Sequence, residues 1–424
     1  MKKLLLVITA LAIVLSACSI SGHQPAPTQN MQADTPVSPT AAASSTPAAT
    51  QALTDAAPAA ATLEPTVPAT ATEMPVAENS SPLPTATLTP YTVGPDKFPP
   101  TTDPLTGLPV NEPNALNRRP VAVKVQLYPR GQRPVYGVSL ADLVFDFYQN
   151  DGLTRLNAIF YGNDAEKIGP VRSARLFDEN IIQMYKVIFA FGGAASYVRN
   201  RFYNAEYADR LITERNRNCP PMCRVDPNGF NFLFTNSSEL SIYAINKGIN
   251  NNRQNLNGMS FDSQVPAGGQ PGSQLSTRYS ISAYVRWDYD PTSGRYLRFQ
   301  DDQEARDSQS EVYKPMMDGM TGQQIAADNV VVLFLPHEPA NIQGDKEALN
   351  IQLSGSGDAI AFRDVQAYQV QWNRPTKASA LFLTTADGEP FSFKPGNTWY
   401  QVVGISSQVT NPAAGVWRII SKNP

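Results

Sequence analysis

From Ser19 to about Pro90 the chain contains no lysine, no arginine and no aromatic residue, and Ala, Thr, Pro and Ser dominate it. A stretch of that composition buries too little apolar surface to offset the entropy of ordering its backbone, so it is expected to be a disordered stalk, stiffened in places by proline. This feature confines folding to the residues beyond it. A flexible chain of about 70 residues spans roughly 45 Å from end to end. The Ser/Thr/Pro content also suits a glycosylated stalk. Its five acidic residues, without basic partners, give it a weak negative charge.

The residues before the stalk decide the compartment. Met1-Lys2-Lys3 is followed by an almost wholly apolar run from Leu4 to Leu15. A membrane-spanning helix needs about 20 such residues, whereas a signal-peptide core is this short. The run ends in Leu15-Ser16-Ala17-Cys18, which looks like a bacterial lipobox. The expectation is a cleaved leader over residues 1–17 and a lipid on Cys18, anchoring the protein at the extracytoplasmic face of the cell membrane. Ordinary secretion with an incidental cysteine is the alternative. No other apolar run approaches membrane length, so the membrane link is an anchor and not a span.

Cys219 and Cys223 are the remaining cysteines. An exported chain meets an oxidising space, so a disulfide between them is expected. A metal site would need two further ligands, and no His or Cys lies nearby. The formal net charge of −3 and the absence of a basic stripe argue against nucleic acid as a partner. Only His23 and His337 are present, which restricts imidazole chemistry and His-ligated metal. No cofactor motif is found.

The fold class read from the pattern is α+β: a mixed α/β block over residues 103–262, then a mainly β block over 277–405, after a stalk spanning 18–97. Val121–Leu127 alternates as a strand, with Lys124 and Gln126 among apolar neighbours. Leu143–Tyr148 and Leu153–Tyr161 read as strands joined by the turn Asn150-Asp151-Gly152. Phe177–Tyr185 has helical spacing, and Val187–Phe191 is an apolar strand closed by Gly192-Gly193. Asn236 with Glu239 marks a helix start. Residues 266–273 (PAGGQPGS) read as a linker or long loop. Beyond it, strands are expected at 280–286, 296–299, 329–335, 367–372, 380–385 and 399–403, arranged as a small sandwich or barrel.

Several of these segments carry a resemblance. They are Pro104-Leu105-Thr106-Gly107-Leu108-Pro109, Arg119-Pro120-Val121-Ala122-Val123, Gly152-Leu153-Thr154-Arg155 and Ile168-Gly169-Pro170-Val171-Arg172-Ser173-Ala174-Arg175 in the first block. In the second they are Gly294-Arg295-Tyr296-Leu297-Arg298, Asn329-Val330-Val331-Val332, Trp372 and Pro395-Gly396-Asn397-Thr398-Trp399. With them the chain resembles the YerB-like family of bacterial lipoproteins, built on a paired domain of unknown function. Two features depart from the pattern: the Cys-Pro-Pro-Met-Cys loop, and Ala194-Ala195 after the double glycine. The resemblance implies lipid anchoring and a two-part architecture.

For chemistry, Arg155, Arg172 and Arg175 stand out, with Asp151 and Asp178 near them in sequence. Arg172-Ser173 follows Gly169-Pro170 at an expected helix start, where unpaired N–H groups favour anions, and guanidinium groups grip carboxylate or phosphate at two points. The competing reading is that these arginines pair with Asp151, Asp164, Glu166 or Asp178 as internal struts. Glycan hydrolysis would need two placed carboxylates; Asp142, Asp146, Asp151, Asp178 and Glu179 are available, but no spacing singles out a pair. No Gly-x-Ser-x-Gly elbow accompanies His337. Trp287, Trp372, Trp399 and Tyr296 could line a sugar-binding face or equally form a β core. The favoured expectation is a non-catalytic, membrane-tethered module binding an envelope glycan, anionic polymer or protein. A carboxylate-based envelope glycan hydrolase is the alternative.

Overall fold

The computed structural model describes residues 90–112, 114–214, 219–225 and 232–422. The expected leader, Cys18 and nearly all of the expected stalk lie outside the described residues.

After a two-residue strand at Thr92–Val93, three longer strands follow: β1 (Val121–Gln126), β2 (Leu143–Tyr148) and β3 (Thr154–Phe160). β2 and β3 form a hairpin in which Tyr148 faces Thr154. Asp151 and Gly152 both take positive φ at its tip, 55° and 70°, the backbone that an Asp-Gly hairpin turn demands. Helix α1 (Asp178–Met184), strand β4 (Ile188–Phe191), helix α2 (Ser196–Tyr203), strand β5 (Leu211–Thr213) and helix α3 (Ser237–Asn246) follow. The Asn236 carboxamide caps α3 by accepting from the Ser238 and Glu239 backbone N–H groups.

The C-terminal half supplies β6 (Gln274–Arg278), β7 (Tyr284–Asp290), β8 (Arg295–Asp301), β9 (Asn329–Leu335), β10 (Gly355–Arg363), β11 (Gln366–Arg374), β12 (Thr398–Gly404), β13 (Gln408–Ala413) and β14 (Val416–Ile420). They do not close into a sandwich or barrel of their own. β11, β10, β9 and β12 continue the sheet of the first half, in the order β11-β10-β9-β12-β2-β3-β1-β4-β5. The junction is the parallel pairing of β12 on β2, from Thr398 opposite Leu143 to Gln401 opposite Asp146. A second sheet holds β8, β7, β6, β14 and β13 in that order.

Around β1, β2 and β3 the main sheet is buried on both sides. Ala122, Phe145 and Phe147 pack on one face against Ile181 and Ile182 of α1 and Phe202 of α2. Val121, Val123 and Val125 pack on the other against Leu240 of α3, in a core that Trp287 and Trp417 of the second sheet share. All of β1 is therefore buried, Lys124 and Gln126 included. The mixed α+β class holds, with a β-rich C-terminal part. Four expectations change. Of the expected strand at 280–286, residues 280–283 form a turn and residues 284–286 open β7. The 266–273 stretch is tied down, since Gln270 and Pro271 pair with Ala367 and Gln366 of β11. β10 and β6 escaped notice because Gly, Ser, Gln and Thr dilute their apolar pattern. Trp287, Trp399 and Tyr296 are fully buried, so they form core and offer no sugar-binding face.

Candidate functional site

Strand register assembles the first candidate site. Lys124 lies opposite Asn157 and Gln126 opposite Arg155 across β1 and β3. Asn157 and Arg155 in turn face Phe145 and Phe147 of β2. Because side chains two apart share a face, these polar groups form one patch on an otherwise apolar sheet. Residues 172–178 close over it: the Arg172 N–H donates to the Lys124 carbonyl at 2.9 Å. Helix α1 starts only at Asp178. Arg172 and Arg175 are thus in a loop and do not share a helical face.

Asp178 is the counter-charge at the centre. Its Oδ1 accepts from Lys124 Nζ at 3.1 Å and Asn157 Nδ2 at 2.8 Å, and its Oδ2 from the Arg175 N–H at 2.7 Å. Lys124 and Asp178 are both fully buried, and Lys124 Nζ lies 3.6 Å from the Phe147 ring centroid. Burial, with Arg155 and Arg175 nearby, brings the Lys124 ammonium down to about 7 against the pull of Asp178.

The arginines converge around this pair. Arg155 Nη1 donates to the Ser173 carbonyl at 2.9 Å. Arg175 donates to the Ala174 carbonyl at 3.1 Å and to Asn150 Oδ1 at 3.0 Å. Arg172 donates to the Gln126 side-chain carbonyl. Burial and then the charges of Arg175 and Arg172 depress the Arg155 guanidinium to about 9. Among the described residues no carboxylate lies within ion-pair distance of Arg155 or Arg175, whose partners are backbone carbonyls and a neutral amide. Asp178 and Asp151 lie close enough to attract Arg155 and Arg175 electrostatically, without an ion pair to either side chain among the described residues. Asp151 is exposed at the hairpin tip, its carboxylate held by Asn150 Nδ2 at 2.6 Å. Beside Arg175 opens a cleft of about 230 Å³ lined by Phe147, Tyr148, Asn150, Ser173, Tyr197 and Asp345, where the Tyr197 hydroxyl donates to Asp345 at 2.9 Å.

A second cleft, of about 500 Å³, brings Asp103, Asp142, Asp328 and Arg295 together. Residues from the Pro104–Pro109, Arg295 and Pro395–Asn397 segments meet here, and the Gly396 N–H donates to the Thr106 carbonyl at 2.8 Å. Asp103 and Asp142 are each 1% exposed. The Gly162 N–H donates to Asp142 Oδ2 at 3.1 Å, and a side chain on Gly162 would come within 2.6 Å of Asp103 Oδ2. Asp103 Oδ2 has no hydrogen-bond partner among the described residues. Burial and the neighbouring Asp142 hold Asp103 well above the carboxylate range; burial pushes Asp142 up to about 7. Asp103, Arg295 and Asp328 were not singled out as a group in the sequence, because nothing in spacing links residues so far apart.

Asp146 and Glu179 are engaged elsewhere. Asp146 pairs with buried Arg298 at 2.7 Å, and Arg298 is held between the Trp287 and Trp399 rings. Glu179 pairs with Arg201 and accepts from the Tyr207 hydroxyl at 3.0 Å. Cys219 and Cys223 are joined by a disulfide. Among the described residues no cluster of His, Cys, Asp and Glu could hold a metal ion, and no helix is long and apolar enough to cross a membrane.

Comparison with known proteins places this architecture. Residues 105–250 match the N-terminal domain, and residues 275–400 the C-terminal domain, of a protein family of unknown function (DUF3048). The chain belongs to this YerB-like family. It is 25% identical over 305 residues to YerB of Bacillus subtilis (strain 168), which carries the name of a lipoprotein; the match covers 71% of this chain and 85% of the relative. The crystal structure of the YerB protein from Bacillus subtilis shares the fold, with a TM-score of 0.56 at 23% identity, over 71% of this chain and 96% of that one.

Proposed function

We propose that this protein is a lipid-anchored extracytoplasmic module that holds an anionic envelope component at the Arg155, Arg172 and Arg175 site. One observation carries the reading: Arg155 and Arg175 converge beside Lys124, and among the described residues neither side chain forms an ion pair with the nearby Asp178, Asp151 or Asp345. The excess positive charge is partly buried, where water screens it poorly. A phosphate or carboxylate group entering the adjoining cleft would supply the missing counter-charge. The lipobox at Cys18 and the lipoprotein name of the relative support anchoring of the mature chain.

Carboxylate hydrolysis has less support. Asp103 and Asp142 share one cleft and are raised, yet both are shielded to 1% exposure, whereas a glycosidase pair must flank an accessible bond. The test uses the full-length protein and long-chain polyphosphate as a defined anionic polymer. Arg155→Ala, Arg172→Ala and Arg175→Ala should each weaken association roughly ten- to a hundredfold, since a hydrogen bond to a charged group is worth about 1.5–3 kcal/mol. Melting temperatures are measured alongside. Loss of stability without loss of affinity would remove the site. Cys18→Ala should release the protein from membranes or leave it unprocessed; a variant still membrane-bound at the same mature mass would exclude the lipid.

A further inference from the structure

A further cleft lies away from the arginines, where the two sheets splay apart. It measures about 690 Å³, within the range of ligand-binding pockets. Its floor is one face of β9, β10 and β11. Asp358 lies opposite Gln371 and Ile360 opposite Gln369. Val332 lies opposite Ile360, which puts Phe334 on the same face. The opposing wall comes from the second sheet and the turn before it, with Ile405 63% exposed and Trp417 at its base. Gln369, Gln371 and Asp358 are exposed.

The lining selects among ligand classes. No lysine or arginine lines the groove, and Asp358 is its one acidic residue, so an anionic polymer finds no counter-charge there. An acyl chain would need continuous apolar contact, but amide and carboxylate side chains interrupt the floor. An added peptide strand would need free backbone groups. β9 is paired on both sides, by β10 and β12, and β10 is paired with β11 along its length, but β10 meets β9 only over Ala359–Phe362, so Gly355–Asp358 pair with β11 alone. That four-residue stretch is short for an added strand, and most of the groove offers side chains. Apolar surface alternating with amides and one carboxylate matches a pyranose ring, which presents apolar C–H faces and a rim of hydroxyl groups.

We infer that the groove between β9–β11 and the Ile405–Trp417 wall binds an uncharged saccharide chain. This site is separate from the anion site and does not depend on it. The probe is a soluble β-1,4-linked N-acetylglucosamine tetramer titrated into the full-length protein, followed by calorimetry and tryptophan emission. Saturable binding is expected, with an emission change from Trp372 and Trp417, which both line the groove, and little dependence on salt. Gln371→Ala should weaken it roughly three- to tenfold, the loss of about one neutral hydrogen bond, and Asp358→Ala roughly ten- to a hundredfold, because its carboxylate is a charged acceptor. Both positions are exposed, so melting temperatures should hold. Ile405→Asp should weaken it further, and Arg175→Ala should leave it unchanged. Absence of tetramer binding would overturn the proposal. So would equal binding by the groove variants, or groove variants that lose a polypeptide partner while tetramer binding is unaltered.

Discussion

Lys124→Met tests the centre of the arginine site most directly. The native ammonium is fully buried, 3.1 Å from Asp178 Oδ1 and 3.6 Å from the centroid of the Phe147 ring. Methionine fills similar volume, so packing changes little. What remains is a buried carboxylate held only by Asn157 Nδ2 and the Arg175 N–H. Removing one partner of a buried ion pair costs about 3–5 kcal/mol, because the survivor stays desolvated without its counter-charge. At about 2–4 °C per kcal/mol for a large domain, the melting temperature should fall by roughly 10 °C. Replacing both partners, as Lys124→Met with Asp178→Leu, removes the orphaned charge and should be far less destabilising than the two single changes combined. The assay is thermal and denaturant unfolding of the four proteins in one buffer. A single-variant loss under about 1 kcal/mol, or simple additivity in the double variant, would refute the claim that this pair is a desolvated unit.

Other outcomes follow from the same geometry. Asp142 has its folded pKa raised to about 7. Its contribution to stability is therefore present below about pH 4 and lost as pH rises toward 7. Asp142→Asn should gain stability relative to the native chain across that window, read from melting temperature against pH; a constant difference would contradict the assignment. Gly162→Ala would place a methyl 2.6 Å from Asp103 Oδ2 and 3.2 Å from Val110 Cγ1, and should cost about 1–3 kcal/mol in denaturant unfolding. Cys223→Ser should cost at most about 2 kcal/mol, because the disulfide closes so short a loop; a loss well beyond that would point to a role outside chain entropy.

How much of this was legible in the sequence differs by residue. The alternation of Val121–Leu127 marks a strand and puts Lys124 and Gln126 two apart, hence on one face. Arg155 and Asn157 repeat that spacing, and the Asn150-Asp151-Gly152 turn sets the hairpin register between β2 and β3. The polar patch was thus written locally. The helical placement of Arg172 did not hold, since the chain between Val171 and Asp178 crosses β1 as a loop.

Local pattern determined the strands, the hairpin, the capped helix α3, the β-rich C-terminal part and the kinship with the YerB-like family. Those follow from side-chain period, turn chemistry and quoted segments, all of which act over a few residues. Only tertiary structure decided that β12 pairs with β2 and so joins the two halves in one sheet. It likewise decided that Asp103, Asp142 and Asp328 share a cleft, that Trp287 and Trp399 enclose Arg298 and do not face solvent, and that a groove opens beside β11. Each depends on contacts between segments that are distant in the chain. Side-chain period says which face a residue takes, but not which distant strand will cover it.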